Sequence, residues 1–242
     1  KVRPHWGFAL RRVPFSKSRP ALDFIPPTTM IGALSYPLSK VLGDRGENLI
    51  AKGLEASRSE VFRPMFVSLH ATRPQGELYS DLQKVYFFDK RRKTSKSDAV
   101  ALEKFYGLGE IEFVYLIDPV KAEEVLGEGW EAALRAAAWG VVRVGQKEGL
   151  VSVEKVDFGM VEACEESVTR YYFASRHGSP RSGKYSLREV VDWTLTPIGE
   201  YSRASRMALY IPEGEVQVEL TKMGAMYRVG PHGCVVGPKL EV

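Results

Sequence analysis

The chain has 242 residues, enough to bury one substantial core or a main domain with a smaller annex, and its apolar and charged shares of 44% and 26% are those of a globular protein. A formal net charge of +4 is mildly basic and names no partner by itself, so the clustering of charge carries the argument. No run approaches the ~20 apolar residues of a membrane span, no secretory leader pattern is visible, and Cys164 and Cys234 stand far apart and form no CxxC pair. Membrane, zinc-site and disulfide-framework classes are thereby excluded, and the expectation is a cytoplasmic protein with two buried free thiols.

From Trp6 to Val13 side chains alternate, with Trp6, Phe8 and Leu10 on one face and Gly7, Ala9 and Arg11 on the other, the period of a strand. A basic loop with Lys17 and Arg19 follows, then Pro26-Pro27-Thr28-Thr29, which reads as a helix start. Ile31, Leu34 and Leu38 recur at helical spacing. Pro37 should kink or shorten this helix, since it lacks an N–H and its ring crowds the preceding turn. Glu47 to Ala56 suggests another short helix. Met65 to Thr72 alternates as a second strand, and Ile111 to Ile117 is a strongly apolar third. Between them lies an excursion, Arg73 to Glu110, with its own short strand from Val85 to Phe88. Trp130 to Ala138 is an alanine-rich helix presenting Trp130, Ala133, Leu134 and Ala137 on one face, and it runs into a short fourth strand, Gly140 to Gly145.

The order is β-α-β, insertion, β-α-β: an α+β, ferredoxin-like (RRM-like) domain over residues 1–157, with an inserted arm or thumb at about 73–110. Such a sheet carries its helices on one face and leaves the other open. Residues 158–242 form a β-rich C-terminal portion. In the chain beyond Gly149 we expect strands at Leu150–Asp157, Val168–Ser175, Met207–Ile211, Val216–Leu220 and Met226–Val229, interrupted by a mobile basic loop from Arg176 to Lys184. No Ser/Gly/Pro-rich linker and no repeat of fixed period is present.

Two segments carry a family resemblance. One joins Arg11-Arg12-Val13-Pro14 to Ile25-Pro26-Pro27-Thr28-Thr29-Met30-Ile31-Gly32-Ala33-Leu34, and the other runs from Gly140 to Val153 as strand, glycine, short polar turn and strand. Both resemble the family-five Cas proteins, RAMP-type subunits of type I CRISPR effector (Cascade) complexes, in their archaeal type I-A form. The resemblance covers about the first 155 residues. It implies a ferredoxin-like RAMP domain with a thumb. It also implies an antiviral ribonucleoprotein role: capping the 5′ handle of the guide crRNA, touching the backbone and large subunits, and meeting target DNA only indirectly.

Candidate RNA-binding residues fall into four groups. Five of the seven residues from Lys90 to Lys96 are basic, namely Lys90, Arg91, Arg92, Lys93 and Lys96, and Tyr86 precedes them with Phe87 and Phe88. Cations on such a tip neutralise phosphates and an aromatic face stacks on an unpaired base, although a solvated tip with inward-packing rings has the same composition. After the first strand come Arg11, Arg12, Lys17 and Arg19, beside a helix start at Thr28 whose unpaired N–H groups suit a phosphate. By alternation only one of Arg11 and Arg12 faces the exposed side. Arg143, Gln146 and Lys147 surround the turn after the fourth strand, where they either join that groove or make a plain hairpin turn. Arg176 and Arg181 sit in a glycine-containing loop that orders around RNA, around a neighbouring subunit, or around nothing. Gly224, Gly230, Gly233 and Gly237 fit no strict motif.

No catalytic residue, metal ligand or cofactor is assigned. HxxxH, HExxH, GxSxG and phosphate-loop patterns are absent. A metal-independent endoribonuclease acting on repeat RNA is the alternative, and it needs a general base, a general acid and a cation, often His, Tyr and Lys. His5, His70, His177 and His232 are the only histidines, and His70 on a strand reads first as structural. A protein-only scaffold, its open sheet face built for partner subunits, is a third reading.

Overall fold

A computed structural model of the chain describes residues 1–10, 21–43, 48–51, 54–89, 92–107, 109–146, 149–197 and 204–240. The first half holds β1 (Val2–Pro4), α1 (Pro27–Val41), β2 (Asn48–Ala51), β3 (Leu54–Ser57), α2 (Ser59–Phe62), β4 (Phe66–Ala71), β5 (Glu77–Asp89), β6 (Thr94–Tyr106), β7 (Phe113–Ile117), α3 (Pro119–Leu126), α4 (Trp130–Trp139) and β8 (Val151–Val153). β1 pairs antiparallel with β8, and Val2 also bridges to Ile111 on the approach to β7. β7 in turn pairs antiparallel with β4. The central strand succession is therefore β8, β1, the Ile111–β7 run, β4. α1 packs on α4, and the two helices close the core with Ile31, Leu34, Leu38, Leu134 and Ala137.

Several expectations need correction. The strand expected over Trp6–Val13 is reduced, among the described residues, to a single bridge between Phe8 and Phe105; Phe8 and Leu10 are buried as expected but Trp6 is exposed. The helix expected over Glu47–Ala56 is the hairpin β2–β3. Gly140–Gly145 forms no strand, only a bridge from Arg143 to Leu150, and β8 takes the place beside β1. Pro37 does not end α1, which continues to Val41. The buried Ser35 and Ser39 hydroxyls on either side of it donate back to the Ile31 and Ser35 carbonyls, so neither is left without an acceptor.

The excursion is longer and more regular than one short strand. β5 and β6 pair residue for residue from Glu77↔Tyr106 to Asp89↔Thr94, and 13 residues per strand make an arm of about 40 Å. Lys93 turns the tip at φ 48°.

The second half is β-rich: β9 (Glu162–Ala163), β10 (Val168–Thr169), β11 (Phe173–Ala174), β12 (Gly178–Ser182), β13 (Tyr185–Val191), β14 (Arg206–Pro212), β15 (Val216–Leu220), β16 (Gly224–Arg228) and β17 (Cys234–Pro238). They form three-stranded sheets ordered β10-β15-β12, β11-β14-β13 and β17-β16-β9. The expected mobile loop Arg176–Lys184 is instead mostly β12, and a register shift between Pro180 and Ser182 accommodates the proline. One hydrophobic core runs through both halves, joining Met30 and Leu69 to Tyr172, Trp193, Leu209 and Ile211. Among the described residues no helix is long and apolar enough to cross a membrane.

Cys164 and Cys234 are disulfide-bonded, not free thiols, with Cα atoms 6.3 Å apart. The bond joins the end of β9 to β17 across β16, inside a cluster with Phe173, Val218 and Met226. Its loop spans 70 residues, and a loop of that size restricts the unfolded chain by about 4 kcal/mol on the loop-entropy account. Native protein is expected to be lighter than its fully reduced form by two hydrogens on intact-mass analysis. Reductant should lower the melting temperature by roughly 10 °C, and Cys164→Ser should be insensitive to reductant.

His70 is 2% exposed, its rings' nitrogens facing the Ser68 hydroxyl at 2.9 Å and the Tyr172 carbonyl at 3.0 Å. Burial pushes its pKa down to about 4, and burial with the neighbouring Arg176 does the same for His177. In the unfolded chain both take up protons near pH 6.5, in the folded protein only near pH 4. Stability is thus complete above pH 6.5 and declines towards pH 4, by about 1.4 kcal/mol per pH unit for each histidine. Thermal unfolding across that window should show the slope, and His70→Asn should roughly halve it, leaving the share of His177.

Candidate nucleic-acid interface

The double proline starts α1 from inside the core. Pro26 and Pro27 are buried, Pro27 has no N–H, and the Thr29 and Met30 N–H groups already donate to the Pro26 carbonyl at 3.0 and 3.2 Å. The prolines seat the helix start in the core, which narrows the expected anion site at the helix N-terminus to the surroundings of Thr28. Thr28 is half-buried in the first turn, and its neighbour Thr29 lines the groove instead.

That groove is a cleft of about 280 Å³ along the outer side of α1. Its polar wall comes from Thr29, Ser35, Tyr36, Ser39 and Lys40 of α1, from Ser57, Arg58 and Ser59 at the β3–α2 corner, and from Arg143 and Gly145 of the turn after α4. Tyr36 and Lys40 are one turn apart, which puts them on one helix face. The Lys40 ammonium and the Arg143 guanidinium each stand 5.4 Å from the centre of the Tyr36 ring. A polarisable ring holds cations by its negative face and brings no charge of its own to cancel theirs. Hydroxyls, two converging cations and an aromatic suit a sugar-phosphate chain. Sequence reasoning found Arg143 but missed Tyr36, Lys40 and Arg58; the Tyr36–Lys40 spacing on a helix already read as such was the available signal.

The remaining positions divide clearly. Arg11, Arg12, Lys17, Arg19, Lys90, Arg91 and Lys147 lie outside the described residues. The ends of the first basic segment are nevertheless fixed: the Leu22 N–H donates to the Leu10 carbonyl at 2.8 Å, and the Ala21 N–H to the Glu103 carboxylate at 2.9 Å. Gly145, at φ 77°, lies so tightly on Leu10 that any Cβ there would overlap the leucine side chain. The cleft, the two ends of the basic segment and the root of the β5–β6 arm are thus consecutive neighbours. Gln146 is half-buried beside them. Tyr86, Arg92 and Lys93 are exposed and Lys96 half-buried towards the distal end of the arm, away from its root.

Arg176 and Arg181 do not join this group. Arg176 donates to Asp192 at 3.1 Å, and Arg181 forks onto Glu219 at 2.8 and 3.1 Å, both inside the C-terminal sheets. The sequence also gave no sign of the polar hub at Glu112. Burial alone would raise its pKa, but hydrogen bonds from Lys1 and Tyr171 and the charge of Arg170 outweigh it and hold the carboxylate below its usual range. Lys1 stands at 2.8 Å, Arg170 at 2.7 Å and the Tyr171 hydroxyl at 2.5 Å. Among the described residues, one group of potential metal ligands gathers, Cys164, Glu166 and Cys234. Its two sulfurs are bonded to each other and offer no thiolate.

Over 180 residues the chain is 30% identical to the CRISPR system aCascade subunit Cas5 1 of Saccharolobus solfataricus, an overlap of 71% of this chain and 69% of that protein. The CRISPR-associated protein Cas5 3 of the same organism is similar to the same extent, 30% over 180 residues. A crystal structure of a CRISPR protein from Archaeoglobus fulgidus shares the fold, with a TM-score of 0.57 at 19% identity over 99% of this chain and 97% of that one. No protein-family model matches. The sequence similarity, extending over two thirds of both chains, settles the family: this protein belongs to Cas5.

Proposed function

We propose that this Cas5 chain is a non-catalytic, RNA-holding subunit of a type I-A CRISPR effector complex, working in the cytoplasm and gripping the 5′ handle of the guide. Its partners in that role are the backbone and large subunits, with target DNA engaged only through the guide. The strand succession β8, β1, Ile111–β7, β4, all antiparallel, supports the ferredoxin-like reading of the sheet. The relative named as an aCascade subunit supports the place in a complex.

One observation carries the proposal: the cleft of Tyr36, Lys40, Arg58 and Arg143 adjoins, through Gly145 and Leu10, both ends of the basic segment that holds Arg11, Arg12, Lys17 and Arg19. A cationic cleft beside a segment rich in arginine and lysine suits a single polyanionic strand. His70 is buried and is thereby a poor candidate for a general base, which bears on that one residue. Labelled repeat RNA in EDTA should stay intact; discrete cleavage there would establish the endoribonuclease.

If about six phosphates are neutralised, affinity for handle RNA should fall by roughly 10²–10³-fold between 50 and 200 mM salt. Lys40→Gln with Arg143→Gln should weaken binding and shallow the log–log salt slope by about 2. A flat salt response in filter binding would sink the reading, and so would purified protein free of any short RNA with a uniform 5′ sequence.

A further inference from the structure

From Met30 to Ser39 every residue of α1 is buried except Gly32 and Tyr36. Those two stand one turn apart, and both line the cleft along the outer side of the helix. Thr29 lines it one turn earlier and Lys40 one turn later, so the helix has a single open stripe and a glycine lies in the middle of it.

Glycine is a poor helix former, because it loses the most conformational freedom on folding. No packing contact among the described residues requires it here. Its backbone is ordinary helix, a conformation any residue adopts. A Cβ at Gly32 would meet no described atom within 4 Å beyond its chain neighbours and its own helix backbone. Gly140 is the opposite case, since a Cβ there would come within 2.8 Å of the Pro37 side chain. Gly140 allows a contact within the chain; Gly32 keeps a space open.

We propose that Gly32 is the floor of the cleft on which the ribose of one nucleotide lies, with the adjoining phosphate drawn to Lys40 and Arg143. The proposal rests on the RNA-holding reading of the cleft and adds to it a residue that decides what fits. The sugar is the occupant because of what the helix offers at this point. An interior turn spends its N–H and C=O groups on its own hydrogen bonds, so Gly32 gives close approach and no polar partner. That surface does nothing for a phosphate, whose cations gather around Tyr36. The Tyr36 ring is engaged by those same two cations, which leaves a base less to stack on. A ribose meets both conditions: its C–H edge lies against the bare turn, and its hydroxyls reach the hydroxyl-bearing walls at Thr29, Ser57 and Ser59.

The test uses the purified chain, a short single-stranded RNA and an abasic ribose oligomer of the same length and charge, with filter binding and thermal unfolding. Gly32→Ala should raise the melting temperature by about 2–4 °C and still weaken RNA. Gly140→Ala should lower the melting temperature. Gly32→Leu, which puts a good helix former and a larger side chain on the floor, should weaken RNA by about 5- to 150-fold. The abasic oligomer should lose as much as RNA, and the log–log salt slope should stay that of the wild type, unlike that of the Lys40→Gln, Arg143→Gln pair. Undiminished, salt-dependent RNA binding by Gly32→Leu overturns the proposal alone. A lower melting temperature for Gly32→Ala overturns it in favour of a packing role within the chain. A loss confined to base-bearing RNA puts a base on Gly32, a shallower salt slope puts a phosphate there, and either result overturns the ribose. Absence of salt-dependent binding in the wild type overturns the underlying reading as well.

Discussion

The crossing of α1 on α4 is the constraint on which the interface depends. Pro37 sits inside α1, and its Cβ would come within 2.8 Å of any Cβ added to Gly140 at the end of α4. Only a residue without a side chain lets the helices approach this closely. That approach delivers the turn holding Arg143 and Gly145 to the outer side of α1, where Tyr36 and Lys40 wait. The buried prolines at the start of the helix serve the same end. They fix the helix in the core with residues that need no hydrogen-bond donor, and the working chemistry moves two to three turns along.

A second set of contacts makes the C-terminal portion part of this frame. Arg73 donates to Asp23 at 2.7 Å and pairs with Glu213, the Arg63 guanidinium donates to the Trp193 carbonyl at 3.2 Å, and Glu112 gathers Arg170 and Tyr171. Such partly buried pairs repay their desolvation only in good geometry, so their effect is better read as fixing how the halves dock than as net stabilisation. The hydrophobic core through Tyr172, Trp193 and Leu209 supplies the larger stabilising share.

What the sequence disclosed follows the same physics. Long periodic segments were legible: α1, the strands at Phe66–Ala71 and Phe113–Ile117, and the helix at Trp130–Trp139 all lie where hydrophobic spacing put them. Short segments without a sustained period were not, and Asn48–Ser57 became a hairpin where a helix was expected. Glycine and proline composition disguised β12 as a loop, although the partner strand β15 and a register shift overrule local preference there. The disulfide was hidden because its cysteines meet only after β9 and β17 have flanked β16. In the candidate site the basic clusters were visible as composition, while Tyr36 and Lys40 looked like ordinary helix surface. Their role depends on Arg143, over a hundred residues away, arriving above the same ring.

The distribution of charge partners sharpens this last point. Many arginines of the chain are spent on carboxylates: Arg3 on Glu110, Arg63 on Glu60, Arg170 on Glu112, Arg176 on Asp192, Arg181 on Glu219 and Arg228 on Glu166. A modest net charge of +4 then says little about where a polyanion is attracted, because paired cations project a weak field beyond their own partners. At the cleft the Lys40 ammonium and the Arg143 guanidinium converge on the Tyr36 ring. The proposed phosphate contacts therefore rest on where cations gather along α1, and the net charge of a mildly basic protein is no guide to that place.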